Sequence, residues 1–194
     1  MKIFNLYDID NVKVEDVGLK KYVCLDAKLM LKSRGRHMER FGKSKVNIVE
    51  RLANEILVPG HRGKKHKMMT NVAGKYTQAM NIVLDAFKIV EEQTKENPVQ
   101  VFVKALENSA PRDEITTIEY GGARYPQACD CSPTRRIALA LRNLVHGSFD
   151  KSRNKKTKIH EALAQEIILA GKGSSESFAV KKKSETEKQA DAAR

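Results

Sequence analysis

The sequence lacks long apolar runs. Every hydrophobic stretch among its 194 residues is soon interrupted by Lys, Arg, Asp or Glu, whereas a membrane-spanning helix needs about 20 consecutive, mostly apolar residues. The first ten residues carry Asp8 and Asp10 and have no apolar segment of the kind that a secretory signal contains. These absences exclude a membrane-spanning protein, and we expect a soluble intracellular chain with no membrane partner.

Cysteine is scarce. Cys24, Cys129 and Cys131 are odd in number, and one residue separates the close pair, instead of the two found in zinc knuckles and redox motifs. A disulfide scaffold needs a denser and even set, so we expect reduced thiols. The chain must then fold through a hydrophobic core.

Signatures of catalysis and metal binding are also missing. Gly42-Lys43-Ser44 resembles the end of a phosphate-binding loop, but His37 stands where that loop needs a glycine. The histidines form no HExxH pair, and the spacing of His61 and His66 does not place them on one helical face. We therefore expect no enzyme, no metal and no cofactor. An RNA-acting enzyme with His61 or His160 as its base stays an alternative, because catalytic groups can converge without a local motif.

What the sequence has is a localised excess of positive charge. Its 36 Lys and Arg exceed its 24 Asp and Glu, which gives a net charge of +12. Residues 32–67 hold 11 basic and 3 acidic side chains, residues 151–194 hold 11 and 6, and residues 68–150 are slightly acidic. An excess confined to parts of a chain indicates an anionic partner at those places.

Three basic clusters form the core of the predicted RNA-binding set. They are Lys32, Arg34, Arg36, Arg40, Lys43 and Lys45; then Arg62, Lys64, Lys65 and Lys67; then Lys151, Arg153, Lys155, Lys156 and Lys158. Like charges within a cluster repel one another, and a polyphosphate removes that repulsion while counterions are released. Solvated loops, anionic lipid and duplex DNA are the alternatives. We favour nucleic acid because three clusters recur and no strongly amphipathic helix pairs any of them with a large apolar face. Duplex DNA is disfavoured because the helix 98–108, with Lys104 alone on its surface, is poorly equipped to read base edges.

Apolar periodicity predicts a mainly α bundle of about six helices. The predicted helices cover residues 45–57, 71–94, 97–108, 132–147 and 157–171, and the segment after Phe178 is either a sixth helix or a disordered tail. Ser44 and Thr157 are candidate N-caps, and Gly171 suits the left-handed position past a helix end.

A β-hairpin is predicted between the third and fourth helices, over about residues 114–130. Its turn is Gly121-Gly122, and Pro126 requires an unpaired edge position. Residues 1–44 lack a long periodic element and are expected to form an extended basic arm, with at most a short helix from Leu19 to Met30. Residues 45–194 then form the helical RNA-binding domain.

Several motifs come in the order and spacing of a known family. They are Gly63-Lys64-Lys65, Asn97-Pro98-Val99-Gln100-Val101-Phe102, Gly121-Gly122-Ala123, Pro133 followed by Arg135-Arg136, and Ala179-Val180-Lys181-Lys182-Lys183. The chain resembles the small-subunit ribosomal protein seven family over nearly its whole length. The arm from Phe4 to Phe41 resembles the archaeal and eukaryotic branch of that family.

The resemblance implies a structural protein of the cytoplasmic small ribosomal subunit. It implies that the chain binds the 3′ major (head) domain of small-subunit ribosomal RNA and nucleates assembly of the head. The hairpin is expected near the exit-site transfer RNA and the messenger RNA path, with head proteins nine and eleven as neighbours. Carried across residue by residue, the resemblance implies RNA contacts at Lys64, Lys65, Lys155 and Lys156 of the basic clusters and adds Arg135, Arg136, Arg142, Lys181, Lys182 and Lys183. The hairpin departs from its arginine-rich relatives, because Arg124 is its only basic residue; Arg124 and Tyr125 are the RNA contacts expected there.

Two of these assignments leave an alternative open. Arg135 and Arg136 fall in the first turn of a helix, whose free amides favour phosphate, and we expect them on a polar face where reversal to glutamate leaves the fold intact. Alternatively they pair with Glu or Asp inside the protein. Tyr120 and Tyr125 either stack on bases or pack on their own ribbon.

Overall fold

The structure, a computed structural model, describes residues 2–27, 38–58, 61–62, 65–66 and 74–194. The helices within these ranges are α1 (Val17–Lys20), α2 (Ile48–Ile56), α3 (Tyr76–Thr94), α4 (Pro98–Ser109), α5 (Pro133–Ser152), α6 (Ile159–Gly171) and α7 (Phe178–Ala192). The antiparallel strand pairs are β1 (Lys2–Ile3) with β2 (Tyr7–Asp8), β3 (His61–Arg62) with β4 (Lys65–His66), and β5 (Asp113–Tyr120) with β6 (Ala123–Asp130). The mainly α fold is confirmed: the six predicted helices are α2 to α7, and the hairpin joins α4 to α5.

Helix α6 lies at the centre of the bundle. It packs against α3, α4, α5 and α7, and Leu163, Ala164 and Ile167 on its inner face are fully buried. A tilted ring contact between Phe87 and Phe102, with centroids 5.9 Å apart, joins α3 to α4. Each large apolar side chain buried in this way contributes about 1.5–3 kcal/mol to folding. Because the buried face of each helix must therefore be apolar, the spacing of apolar residues in the sequence identified these helices.

Helix starts follow the capping residues, with two corrections. Asn97 caps α4 as expected, because its Oδ1 accepts the Val99 amide at 3.0 Å. Asn47, and not Ser44, caps α2, since residues Gly42–Lys45 form a separate 3-10 helix. Helix α6 starts one residue late, with Lys158 instead of Thr157 at its N-cap.

Two glycines near predicted helix ends have packing roles. Helix α5 continues past Gly147 to Ser152, and a Cβ at Gly147 would lie 2.7 Å from the Phe178 Cβ. Gly171 stays within α6 against Val101, and Gly173 with φ +68° takes the left-handed position. In both places the absence of a side chain permits a close approach, which local sequence does not reveal.

The N-terminal segment is folded onto the bundle. Ile3, Tyr7 and Leu19 are buried in the common core, and α1 ends at Lys20, whereas the short helix was expected from Leu19 to Met30. Side chains of α4 hold the segment in place: Gln100 accepts from the Lys13 amide at 2.8 Å and donates to its carbonyl at 3.0 Å. Residues 28–30 lie outside the described residues, and the domain boundary at residue 44 stays a prediction.

The hairpin is a regular two-stranded ribbon whose root is held by α7 and the C-terminal residue. Gly121 and Gly122 have φ values of +58° and +82°, as a tight hairpin turn requires. At the root, Glu187 of α7 accepts from the Arg112 amide at 3.0 Å. Arg194 pairs with Asp113 at 2.6 Å. The strands beyond the root are largely exposed, so the ribbon projects from the bundle.

None of the helices in the described part of the chain has both the length and the apolar character that crossing a bilayer requires.

Arg136 attaches the N-terminal segment to α5. This residue is 9% exposed, and it donates to Asp16 Oδ2 at 2.8 Å and to the Pro111 carbonyl at 3.1 Å. Burial acts to raise the pKa of Asp16, but the hydrogen bonds from Arg136 and from the Gly18 amide outweigh it and hold that pKa below its ordinary value of 3.8.

We predict that Arg136→Gln lowers the free energy of unfolding at pH 7 by about 2 kcal/mol, because a charge-assisted hydrogen bond is lost. Since the folded-state pKa of Asp16 is lowered, the pair stabilises the fold fully above the ordinary value and loses this effect as pH falls through the lowered one. Urea unfolding at pH 7 and at pH 3 or below measures the difference between the two proteins. The difference should shrink at acid pH and should be smaller when Asp16→Asn is the background, where Arg136 keeps its hydrogen bond to the Pro111 carbonyl; a difference independent of pH and background contradicts the prediction.

Candidate nucleic-acid interface

The loop between α5 and α6 presents four exposed cations, Arg153, Lys155, Lys156 and Lys158. Asn154 turns the chain here with φ +54°, a left-handed conformation that asparagine tolerates better than most residues. The Lys155 amide donates to the Ser152 carbonyl at 3.3 Å, and the Lys158 amide to Glu161 Oε2 at 3.1 Å. Across the described ranges no carboxylate oxygen lies within 4 Å of the charged side-chain nitrogens of these four residues, so their charge is available to a partner.

Lys151, predicted as part of the same cluster, instead points into the protein. Its Nζ lies 2.7 Å from Oε2 of Glu166, which is fully buried. Glu166 also accepts from the Ser177 hydroxyl at 2.7 Å and from the Ala179 amide at 3.1 Å. Glu166 is absent from the predicted residues, although the sequence carries one signal for it: a carboxylate in the apolar stripe of α6, next to Ile167.

A stripe of arginines runs along the outer side of α5. Arg135 and Arg142 are seven residues apart, which places them on one side of α5, and Arg153 is the C-cap residue at the end of that helix. Arg142 is exposed and has no acidic partner in the part of the chain that the structure describes. The stripe therefore joins the α5–α6 loop to the root of the hairpin.

Arg135 and Arg136 both pair with acidic side chains of the protein, as the alternative interpretation expects. Arg135 lies 2.5 Å from Glu114 at the hairpin root, and hydrogen bonding to Glu114 raises its pKa, although its side chain is 56% exposed. Arg136 pairs with Asp16 in the interior. The expectation of a polar face is wrong for Arg136, which is buried beside Asp16, whereas Arg135 is exposed. That reversal of both residues to glutamate leaves the fold intact stays a prediction. Their contact with RNA stays a prediction.

The turn before α2 carries three more predicted RNA contacts. Arg40, Lys43 and Lys45 are all exposed. Lys45 pairs with Glu39 at 3.2 Å, but both side chains are mostly in solvent, where such a pair contributes little. Lys43 has no acidic partner among the residues that are described.

On the hairpin, the predicted contacts lie on opposite faces. Arg124 lies 3.7 Å from Glu119 directly across the ribbon. Tyr125 faces Ile118, and the strand alternation places Tyr120 on the same side. Tyr120 is 82% exposed and Tyr125 58%, so the ribbon leaves most of both side chains accessible.

Three lysines of α7 complete the described set. Lys181 is exposed, Lys182 pairs with Glu185 at 2.6 Å, and Lys183 is half-buried. Arg62 and Lys65 are cross-strand partners in the β3–β4 pair. Lys32, Arg34, Arg36, Lys64 and Lys67 lie outside the described residues, so the structure does not place them.

Comparison with known proteins identifies the family. A family model described as ribosomal protein S7p/S5e matches residues 20–194. The chain belongs to this family. Its relatives include archaeal proteins named small ribosomal subunit protein uS7. The protein from Nanoarchaeum equitans is 53% identical and covers 100% of this chain and 99% of its own length.

Two further relatives with the same name cover nearly all of both chains. The protein from Methanothermobacter thermautotrophicus is 46% identical over 96% of this chain and 95% of its own length. The protein from Archaeoglobus fulgidus is 42% identical over 99% of this chain and 94% of its own length. The resemblance to the archaeal branch of the S7 family is confirmed. Because the S7p/S5e family is structural, the chain is not an enzyme.

Lys151, which pairs with a buried carboxylate, and the exposed Lys155 should differ in their effect on the free energy of unfolding. We predict that Lys151→Gln lowers the free energy of unfolding by about 1–2 kcal/mol, because the buried Glu166 carboxylate loses its cationic partner. Lys155→Gln, the matched exposed control, should change it by less than about 0.5 kcal/mol. Urea unfolding at pH 7 makes the comparison, and equal small effects would show that Lys151 is an ordinary surface charge.

Proposed function

We propose that the chain is a structural constituent of the cytoplasmic small ribosomal subunit and binds its ribosomal RNA. Membership of the S7p/S5e family and the printed name of the archaeal relatives support the assignment to the subunit. The observation that carries the RNA-binding mechanism is the α5–α6 loop. Its four exposed cations lack acidic partners within the described ranges and lie at one end of the arginine stripe on α5.

The mechanism is positional, and no bond is made or broken. The α-helical bundle holds its cations at fixed separations, and these neutralise phosphates that would otherwise repel one another where RNA helices meet. A-form RNA is recognised mainly through its backbone and shape, so base specificity should be modest. The binding free energy offsets the entropy lost when the arms of an RNA junction are fixed.

We further propose that the RNA is the 3′ major domain, where the chain nucleates assembly of the subunit head. The projecting hairpin then extends toward the exit-site transfer RNA and the messenger RNA path, with head proteins nine and eleven as neighbours. The exposed face of Ile118, Tyr120 and Tyr125 supports a partner at the hairpin, since aromatic groups left in solvent on a projecting ribbon are suited to stacking.

Salt dependence tests the proposal. If six to ten phosphates are contacted, affinity for a 3′ major-domain fragment should fall by a factor of about 10³–10⁵ between about 50 and 200 mM salt. Combining Arg153→Gln, Lys155→Gln and Lys156→Gln should reduce the slope of log affinity against log salt by about 2–3, because each phosphate contact contributes about 0.9. Fluorescence anisotropy of labelled RNA measures both quantities.

A control variant replaces two exposed lysines elsewhere. Lys88→Gln combined with Lys95→Gln removes two exposed charges at α3 and its C-cap, and the salt slope should not change. A salt-insensitive complex, equal slopes for the two variants, or tighter binding to duplex DNA of equal length would each contradict the proposal.

A further inference from the structure

Phe41 is an aromatic residue that the sequence analysis did not assign to any site. Its side chain is 58% exposed, and its backbone is left-handed, with φ +61° and ψ +12°. A bulky L-residue rarely adopts this conformation, which suits glycine best. The residues that follow, Val46, Ile48 and Val49, are buried, so Phe41 stands at the edge of the core without entering it.

The conformation of Phe41 is fixed by hydrogen bonds. Its carbonyl accepts from the Ser44 amide at 3.0 Å and from the Ser44 hydroxyl at 2.6 Å. These contacts close the 3-10 helix Gly42–Lys45, for which Phe41 is the N-cap. The backbone that carries the exposed ring is therefore part of an ordered turn.

One cation contacts the ring and another follows close behind in the sequence. The guanidinium carbon of Arg40 lies 5.1 Å from the ring centroid, within the range of a cation–π contact, and exposed Lys43 follows two residues later. The acidic residue of this turn, Glu39, pairs with Lys45. An exposed aromatic face beside basic groups is the arrangement with which proteins hold single-stranded nucleic acid: bases stack on the ring while cations contact the phosphates.

We propose that Phe41 is a base-stacking residue, on whose ring an unpaired RNA base lies while Arg40 and Lys43 contact the neighbouring phosphates. This inference rests on the proposed function, because it names how that RNA is held at one place. The positive charge around the ring favours a nucleobase over an apolar protein segment, for which charged neighbours would have to lose their hydration.

A single tryptophan gives a direct test, because the chain contains none. Phe41→Trp places the only indole at the proposed stacking position, where a stacked base should quench its fluorescence by about half or more in step with binding. Binding of a labelled 3′ major-domain RNA fragment is followed independently by anisotropy. Leu6→Trp is the matched control: Leu6 is 54% exposed, in a groove whose charged lining is Asp8, Glu91, Glu96 and a single cation, Lys95, and its indole should stay unquenched.

Affinity separates stacking from charge. Phe41→Leu should weaken RNA binding about tenfold, whereas Phe41→Tyr should bind within about twofold of the natural chain. The salt slope should be unchanged in both, because no phosphate contact is lost. Circular dichroism and the unfolding temperature of each variant verify the fold, and the tyrosine variant keeps the test valid if leucine is poorly tolerated.

The outcomes distinguish this inference from the proposed function. RNA binding that leaves the indole of the Phe41→Trp variant unquenched, or full affinity in Phe41→Leu, overturns base stacking and leaves RNA binding intact; a protein partner would then be the remaining occupant of the ring. Equal quenching in Phe41→Trp and Leu6→Trp also overturns it, since the signal would not be local. Failure of the natural chain to bind the RNA overturns both proposals.

Discussion

The buried carboxylate of Glu166 is the interaction on which the arrangement of the helices depends. Glu166 lies on the central helix α6. One of its oxygens binds Lys151 of α5, and the other accepts hydrogen bonds from Ser177 and Ala179 at the start of α7. A buried charge is costly unless it is paired and hydrogen-bonded, so these three helices must meet closely. Gly147 permits this approach, since any side chain there would collide with Phe178 and Glu166.

The outer parts of the molecule depend on this junction. Helices α5 and α7 bind the root of the hairpin from its two sides, through Arg135 and Glu187, so the direction of the ribbon follows from their packing. The α5–α6 loop begins two residues after Lys151, so the Lys151–Glu166 pair fixes the point at which the basic loop leaves the bundle. One buried interaction thus positions both the projecting ribbon and the basic loop relative to the bundle.

Positive charge has two separate uses in this chain. Arg136 and Lys151 form ion pairs within the protein, with acidic partners that are buried or half-buried. Arg142, Lys155 and Lys156 are exposed and have no such partner in the described ranges. The net charge alone does not separate the two groups, and a basic residue in a cluster is a candidate for RNA binding only if the fold has not already neutralised it.

The sequence revealed what depends on neighbours along the chain. Asn97-Pro98 marked the start of α4, Gly121-Gly122 marked the hairpin turn, and apolar spacing identified α3 and α6, because capping, turn geometry and amphipathicity are local. It did not reveal the partner of Arg136, which lies 120 residues away. The inward turn of Lys151 toward Glu166 was equally hidden, since it arises only when separate helices meet. Composition alone predicts no more than an anionic partner. The prediction of a ribosomal function came from the match of motifs to the S7 family.

Protection of lysines by bound RNA tests most directly whether the exposed, unpaired cations form the RNA surface. Lysines of the free protein and of its complex with a 3′ major-domain fragment are modified by reductive methylation and quantified by mass spectrometry. We predict strong protection of Lys155, Lys156 and Lys158 in the complex, with Lys88 and Lys95 reacting as in the free protein. Equal protection at both sets, or none at the α5–α6 loop, would contradict this assignment of the RNA surface.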